Sequence, residues 1–240
     1  MPSRALVALV VAVVLALAVV VTIRLADDVD AAPKKPEGTL TTRAALPTAR
    51  PGTIGEPRDP LSLAEIGYAK HLAETDPSMP DGVRDVLGQP QAELLAVDLA
   101  TMDDGTRRRL VDVVLYDYAR DQVVVQTVDL DAGEVTGTDR LRSQPPPSPG
   151  EIEHALDLVL ESIVGEHLRA DYLLATGEEL DPGTLMPSGG VVECAGRHRC
   201  IELQIRVPGG DYLAASGLVV DLSDGAVLPV ETPDHDHEEH

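Results

Sequence analysis

Val128-Asp129-Leu130-Asp131-Ala132-Gly133-Glu134-Val135 recurs 92 residues later as Val220-Asp221-Leu222-Ser223-Asp224-Gly225-Ala226-Val227. Val, Asp, Leu, Gly and Val match in the two copies. Each copy reads as a strand, a tight turn and a returning strand, because Gly supplies the positive φ that such a hairpin requires. Upstream, Ser62-Leu63-Ala64-Glu65 and Ser148-Pro149-Gly150-Glu151 lie 86 residues apart. Both are Ser-x-x-Glu capping boxes, in which the Ser hydroxyl and the Glu carboxylate each satisfy a backbone N–H at a helix start. Pro149 stands at the first helical position, where its missing N–H costs nothing. The same order of elements is written twice.

An amphipathic helix follows each box. Leu63, Ile66, Ala69, Leu72 and Ala73 share a face in the first, and Ile152, Leu156, Val159, Leu160 and Ile163 in the second. The second copy adds an expected helix at 166–176. Strands are expected where Val111, Val113 and Leu115 alternate with Asp112, Val114, Tyr116 and Tyr118, and over 123–130 with a return at Val135. In the second copy they are expected at 191–194, 200–207, 213–222 and 226–231. Each copy is then one helix on an antiparallel meander of three or four strands, an α+β arrangement that buries one face of each layer. The first unit spans 60–143 and the second 144–231. Gln144-Pro145-Pro146-Pro147-Ser148-Pro149 separates them as a stiff polyproline spacer.

These elements resemble a known family. The first helix, Val97-Asp98-Leu99, Leu115-Tyr116-Asp117-Tyr118, Val128-Asp129-Leu130 and Gln144-Pro145-Pro146-Pro147-Ser148 look like the small N-terminal domains of copper amine oxidases. Cys200 and Gly217-Leu218-Val219-Val220-Asp221-Leu222 fit the second of that pair. The resemblance covers roughly 59–231 and implies two tandem cystatin-like units. The enzymes of that family continue into a catalytic β-sandwich, where a Tyr in an Asn-Tyr-Asp/Glu context becomes a quinone and three His bind copper. This sequence has no Asn, so no catalytic residue carries over. The resemblance implies an accessory, non-catalytic module.

The N-terminus bears on the compartment. Residues 5–23 are apolar except for Thr22. A membrane-spanning helix needs about 20 such residues. Arg4 precedes the run, and Arg24, Asp27, Asp28 and Asp30 follow it. Segment 1–31 reads either as an uncleaved signal anchor or as a signal peptide cut near Val29-Asp30-Ala31. The apolar run is longer than the core of a cleaved signal, and the small-x-small site sits eight residues beyond it among acids. Both readings place the bulk of the chain outside the cytoplasm, at the membrane or secreted. Residues 32–59 are Pro-rich without apolar periodicity, a linker or stalk.

Composition sets further bounds. The chain has 240 residues and a net charge of -22. Nucleic acid is excluded as a partner, because phosphates recruit clusters of Lys and Arg. The acidity suits a partner with a basic surface. Without Phe or Trp, the core is aliphatic, and Tyr116 and Tyr118 are its expected aromatic anchors. The expected partner is another exported or membrane protein.

Three groups of residues carry candidate chemistry. Cys194 and Cys200 are the only cysteines, and in an exported protein they are expected to form a disulfide. The other readings are a metal site with His198 between two thiolates, a redox pair, or two free thiols. The tail holds His235, Asp236, His237 and His240 among further acids; imidazole and carboxylate together suit copper or zinc. The bland reading of the tail is a solvated acidic terminus. His71, His154 and His167 are expected at the surface or rim. Asp98, Asp129 and Asp221, each inside a Val-Asp-Leu triplet, are expected to face solvent. No nucleophile motif such as Gly-x-Ser-x-Gly is present, and no cofactor is required by any motif.

Overall fold

Ser62 and Ser148 each start a helix as the sequence predicts. In both boxes the hydroxyl accepts the backbone N–H three residues on, and the Glu carboxylate accepts the N–H of the capping Ser. The computed structural model describes residues 45–101, 107–194, 196–207, 209 and 212–228. The apolar run at 5–23 and the tail at 232–240, with His235, Asp236, His237 and His240, lie outside the described residues. Among the described residues no helix is long and apolar enough to cross a membrane.

Among the described residues the architecture is α+β, with three α-helices and two antiparallel sheets. Helix α1 (Leu63–Thr75) precedes β1 (Glu93–Leu99), β2 (Leu110–Asp117), β3 (Gln122–Asp129) and β4 (Glu134–Leu141). These strands form one sheet in sequence order. Helices α2 (Pro149–Glu161) and α3 (Ile163–Thr176) precede β5 (Met186–Val192), β6 (Cys200–Arg206), β7 (Tyr212–Asp221) and β8 (Ala226–Leu228). Those strands form a second sheet, again in sequence order.

Each sheet has its own aliphatic core. Tyr68, Ala69 and Ala73 of α1 pack on Val111, Val113, Leu115, Val124 and Val128. Ala155, Leu156, Val159 and Leu160 of α2, with Leu168 of α3, pack on Ile201, Leu203, Ile205, Leu218 and Val220. Burying one such aliphatic side chain contributes about 1.5–3 kcal/mol over leaving it exposed. The two halves also share core. Val86, from the loop before β1, belongs to the second cluster, and Tyr118 packs against it.

Several expectations are corrected. Leu63 is 71% exposed, whereas Tyr68, outside the expected face, packs into the first core. Ile163 is 65% exposed. The helix face stops at Ser162, whose hydroxyl accepts the N–H of Val164 and starts α3 in a new direction. Strand β5 begins at Met186, five residues earlier than expected. It includes Pro187, which is tolerated because β5 is an edge strand among the described residues.

The Pro-rich segment is not free where it is described. From Leu46 onward it lies along the N-terminal half. Ile54 and Leu61 pack on the first core. Arg50 donates to the carbonyl of Asp131 at 2.7 Å. Gly67 of α1 is required by this contact, since a Cβ there would strike the carbonyl of Pro47.

Candidate functional site

A buried carboxylate–guanidinium pair organises each half. Glu65, the capping-box residue of α1, accepts Nε of Arg109 at 2.6 Å and Nη2 at 3.2 Å. Nη1 of Arg109 donates to the carbonyls of Glu56 and Asp59, and Nη2 to that of Pro60. In the second half Glu151 accepts Nε of Arg199 at 2.5 Å and Nη2 at 2.9 Å. Arg199 also donates to the Gln144 side chain and to the carbonyls of Pro145 and Pro146. The Pro-rich segments thus serve as acceptors for a buried guanidinium. Such carbonyls have no helix or sheet partner of their own.

Burial would raise the Glu65 carboxyl. Hydrogen bonds from Arg109, from the backbone of Ser62 and Gly55, and from the Ser62 hydroxyl outweigh it and hold the group down at about 2.

Asp129 and Asp221 do not face solvent as expected. Both are buried, and only Asp98 of the three is exposed. Each caps the turn that follows its strand. Oδ1 of Asp129 accepts the N–H of Asp131 and of Ala132, and Oδ1 of Asp221 those of Ser223 and Asp224. The second oxygen is aimed at a basic side chain. Asp129 takes Nε of Arg108 at 2.6 Å, and Asp221 takes Nδ1 of His198 at 2.7 Å. The alternation rule fails here because both Asp end their strands, where a side chain can turn back to the backbone.

The seam between the halves is polar and closely bonded. Tyr116 and Tyr118 stack edge to face with centroids 4.7 Å apart. They face one side, as expected, but it is the seam and not the α1 core. The guanidinium of Arg199 lies over the Tyr116 ring at 4.9 Å. The hydroxyl of Tyr118 donates to Glu151, and Ser148 donates to Glu93 at 2.8 Å. Asp121 holds a left-handed φ of 47°. Its carboxylate accepts the Tyr116 hydroxyl at 3.3 Å and the Ser223 hydroxyl at 2.5 Å.

Beside this seam lies a cleft of about 570 Å³. It is bounded by Asp121, by Arg142, Ser143 and Gln144 of the connecting segment, by the end of β5, and by Arg197 and His198. Arg142 and Arg197 are exposed, and neither has a partner among the described residues. Strand β5 is hydrogen-bonded to β6 alone, so its other edge is open among the described residues.

Cys194 and Cys200 form the expected disulfide, with Cα atoms 6.1 Å apart. It closes the loop that carries Arg197 and His198. The Asp221 hydrogen bond leads in raising the pKa of His198, ahead of an opposing desolvation and of the Asp221 and Asp224 charges. His198 and Asp221 have the geometry of a base and its orienting acid. No nucleophile is hydrogen-bonded to Nε2 of His198 among the described residues. His71 and His154 are half-buried and His167 is exposed.

Comparison with protein-family models and with curated proteins finds no match for this chain.

Sequence reasoning missed Arg109 and Arg199, the residues with most hydrogen bonds. Their partners stand 44 and 48 residues away. The available signal was the pairing of a basic dipeptide, Arg108-Arg109 and His198-Arg199, with the repeated Asp.

Proposed function

We propose that this protein is a non-catalytic binding module, held at the outer face of a membrane by its apolar N-terminal segment and working on another exported or membrane protein. Two cystatin-like units in tandem, as in the N-terminal domains of copper amine oxidases, are the reading of the fold that goes with it. One observation carries the proposal. The buried ion pairs Glu65–Arg109 and Glu151–Arg199 lie wholly within structural networks. By contrast, Arg142 and Arg197, which have no partner among the described residues, stand together on one cleft beside a strand edge that is open among those residues. Catalytic groups are held poised for a substrate; here the perturbed groups other than His198 are engaged in caps, turns and the seam, and His198 has no nucleophile beside it among the described residues.

An open edge accepts an extended segment by strand addition, with main-chain hydrogen bonds for affinity and side chains for choice. Asp121 is engaged by Tyr116 and Ser223, so Arg142 and Arg197, set against Glu193 alone in the lining, favour a segment carrying carboxylates. The partner segment is therefore an extended, acidic stretch of an envelope protein. The overall acidity of the chain works against loose association with such a segment, so selectivity falls to the cleft.

The test is a photoreactive residue at position 143, in intact cells, against one at position 161 at the end of α2. A discrete cross-linked envelope protein from position 143 alone is the expected result. No cross-link from 143, or the same product from 161, contradicts the proposal.

A further inference from the structure

The C-terminal half differs from the N-terminal half at one spot in a way that matters chemically. Ninety residues before His198, Arg199 and Cys200 stand Arg108, Arg109 and Leu110. Arg109 and Arg199 do the same structural work, and so do Asp129 and Asp221. Around that shared frame, Arg108 is replaced by His198 and Leu110 by Cys200, and Cys194 is added. An arginine and a leucine offer no metal donor. An imidazole and two sulfurs are good donors for zinc and neighbouring soft ions.

The donors form two groups that share Asp221. The sulfurs of Cys194 and Cys200 and a carboxylate oxygen of Asp221 lie within 4.8 Å of one another. Nδ1 of His198 and carboxylate oxygens of Asp221 and Asp224 do likewise. Asp221 joins the two groups, and Cys200 sits opposite it across β6 and β7.

Bonds other than the disulfide also hold the frame under these donors. Oδ1 of Asp221 is occupied by two backbone N–H groups, which leaves Oδ2 directed at His198. The backbone N–H of Arg199 donates to Ser223 at 2.9 Å, and that of Leu222 to the carbonyl of Arg199 at 2.9 Å. The Arg199 side chain is anchored on Glu151. Cys194 and His198 line the open cleft, which gives an ion a path from solvent.

We propose that the Cys194–Cys200 disulfide masks a metal site of Cys194, Cys200, His198 and Asp221, which a dithiol reductant unmasks. A reductant thiolate attacks one sulfur of the pair, and the reductant's second thiol resolves the mixed disulfide. Two electrons and two protons pass to the cysteines, and the reductant leaves as its own disulfide. A divalent zinc-like ion then forms two metal–sulfur bonds and displaces the two thiol protons. Nδ1 of His198, deprotonated, and Oδ2 of Asp221 complete a tetrahedral set. The half-buried Cys194, on the loop side, is the sulfur that moves to open the pair. The site uses none of the tail histidines and does not rest on the binding-module reading.

The test uses the full chain with His235, His237 and His240 all changed to Ala, so that the tail contributes nothing. Cobalt(II) is titrated as a spectroscopic substitute for zinc, before and after phosphine reduction and anaerobic removal of the phosphine. One cobalt per reduced chain is expected, with thiolate-to-metal charge-transfer bands that zinc abolishes and that the oxidised chain lacks. The reduced chain keeps its circular dichroism. His198→Ala keeps the thiolate bands and weakens binding about tenfold or more. Absence of thiolate bands on reduction, equal binding by the oxidised chain, loss of the fold on reduction, or unchanged affinity in His198→Ala each overturns the proposal.

Discussion

The hydroxyl of Tyr118, just past β2, donates to Oε1 of Glu151 at 2.6 Å. Glu151 is the capping-box acid of α2, so one bond ties the first sheet to the start of the second helix. Burial, then the Glu151 charge and hydrogen bond, push the Tyr118 hydroxyl above its ordinary pKa. It stays protonated and remains a donor at any physiological pH. In the first half the corresponding position is filled from the Pro-rich segment, where the N–H of Gly55 donates to Glu65 at 3.0 Å.

Tyr118→Phe removes that donor and leaves the ring. A hydrogen bond to a charged acceptor is worth about 1.5–3 kcal/mol. Urea denaturation is expected to show a loss of that size. Amides of both β2 and α2 should lose protection together in hydrogen exchange, because the bond spans the seam.

Arg199→Met strands the Glu151 carboxylate, which is fully buried. Breaking one side of a buried pair costs about 3–5 kcal/mol. Arg109→Met is expected to cost a similar amount, since Glu65 is equally enclosed. Thermal melts of the two variants should fall by comparable margins. A double change, Glu151→Gln with Arg199→Met, should cost less than the sum of the single changes.

Acid should weaken the fold in a defined window. Glu65 sits at about 2, against an ordinary 4.5. A lowered value means that the contribution is full above pH 4.5 and is lost as pH falls towards 2. The amount is on the order of 3 kcal/mol. Stability measured across this window should fall more steeply in the native chain than in Glu65→Gln.

His198 gives the opposite sign. Its pKa is raised above the ordinary 6.5, with the Asp221 hydrogen bond the leading cause. Its ion pair therefore contributes fully below pH 6.5 and fades as pH rises through the folded value. The stability gap between the native chain and His198→Gln should be largest in mild acid and narrow in alkali. A gap that widens with pH would contradict the hydrogen-bond assignment.

The sequence made some of this legible and hid the rest for physical reasons. The capping boxes at Ser62 and Ser148 are local motifs, so three residues suffice to read each. The turns after Asp129 and Asp221 were also plain, from Gly133 and Gly225. The role of the two Asp was not, because alternation along a strand says nothing about a side chain at the strand's end. Arg109 and Arg199 were invisible because their partners are brought to them only by the fold. The cleft is likewise a product of the fold, since Arg142 and Arg197 stand in different segments. The disulfide was legible because the apolar run at 5–23 led to an expectation of export, and two nearby cysteines outside the cytoplasm usually pair.

The cleft with Arg142 and Arg197 is proposed as the working surface. The most direct measurement is the cross-linking yield from a photoreactive residue at position 143, in the native chain and in Arg142→Glu with Arg197→Glu. Both positions are exposed, so the thermal midpoint should not move. The partner cross-link is expected to fall by about tenfold or more. An undiminished cross-link at an unchanged midpoint would contradict it.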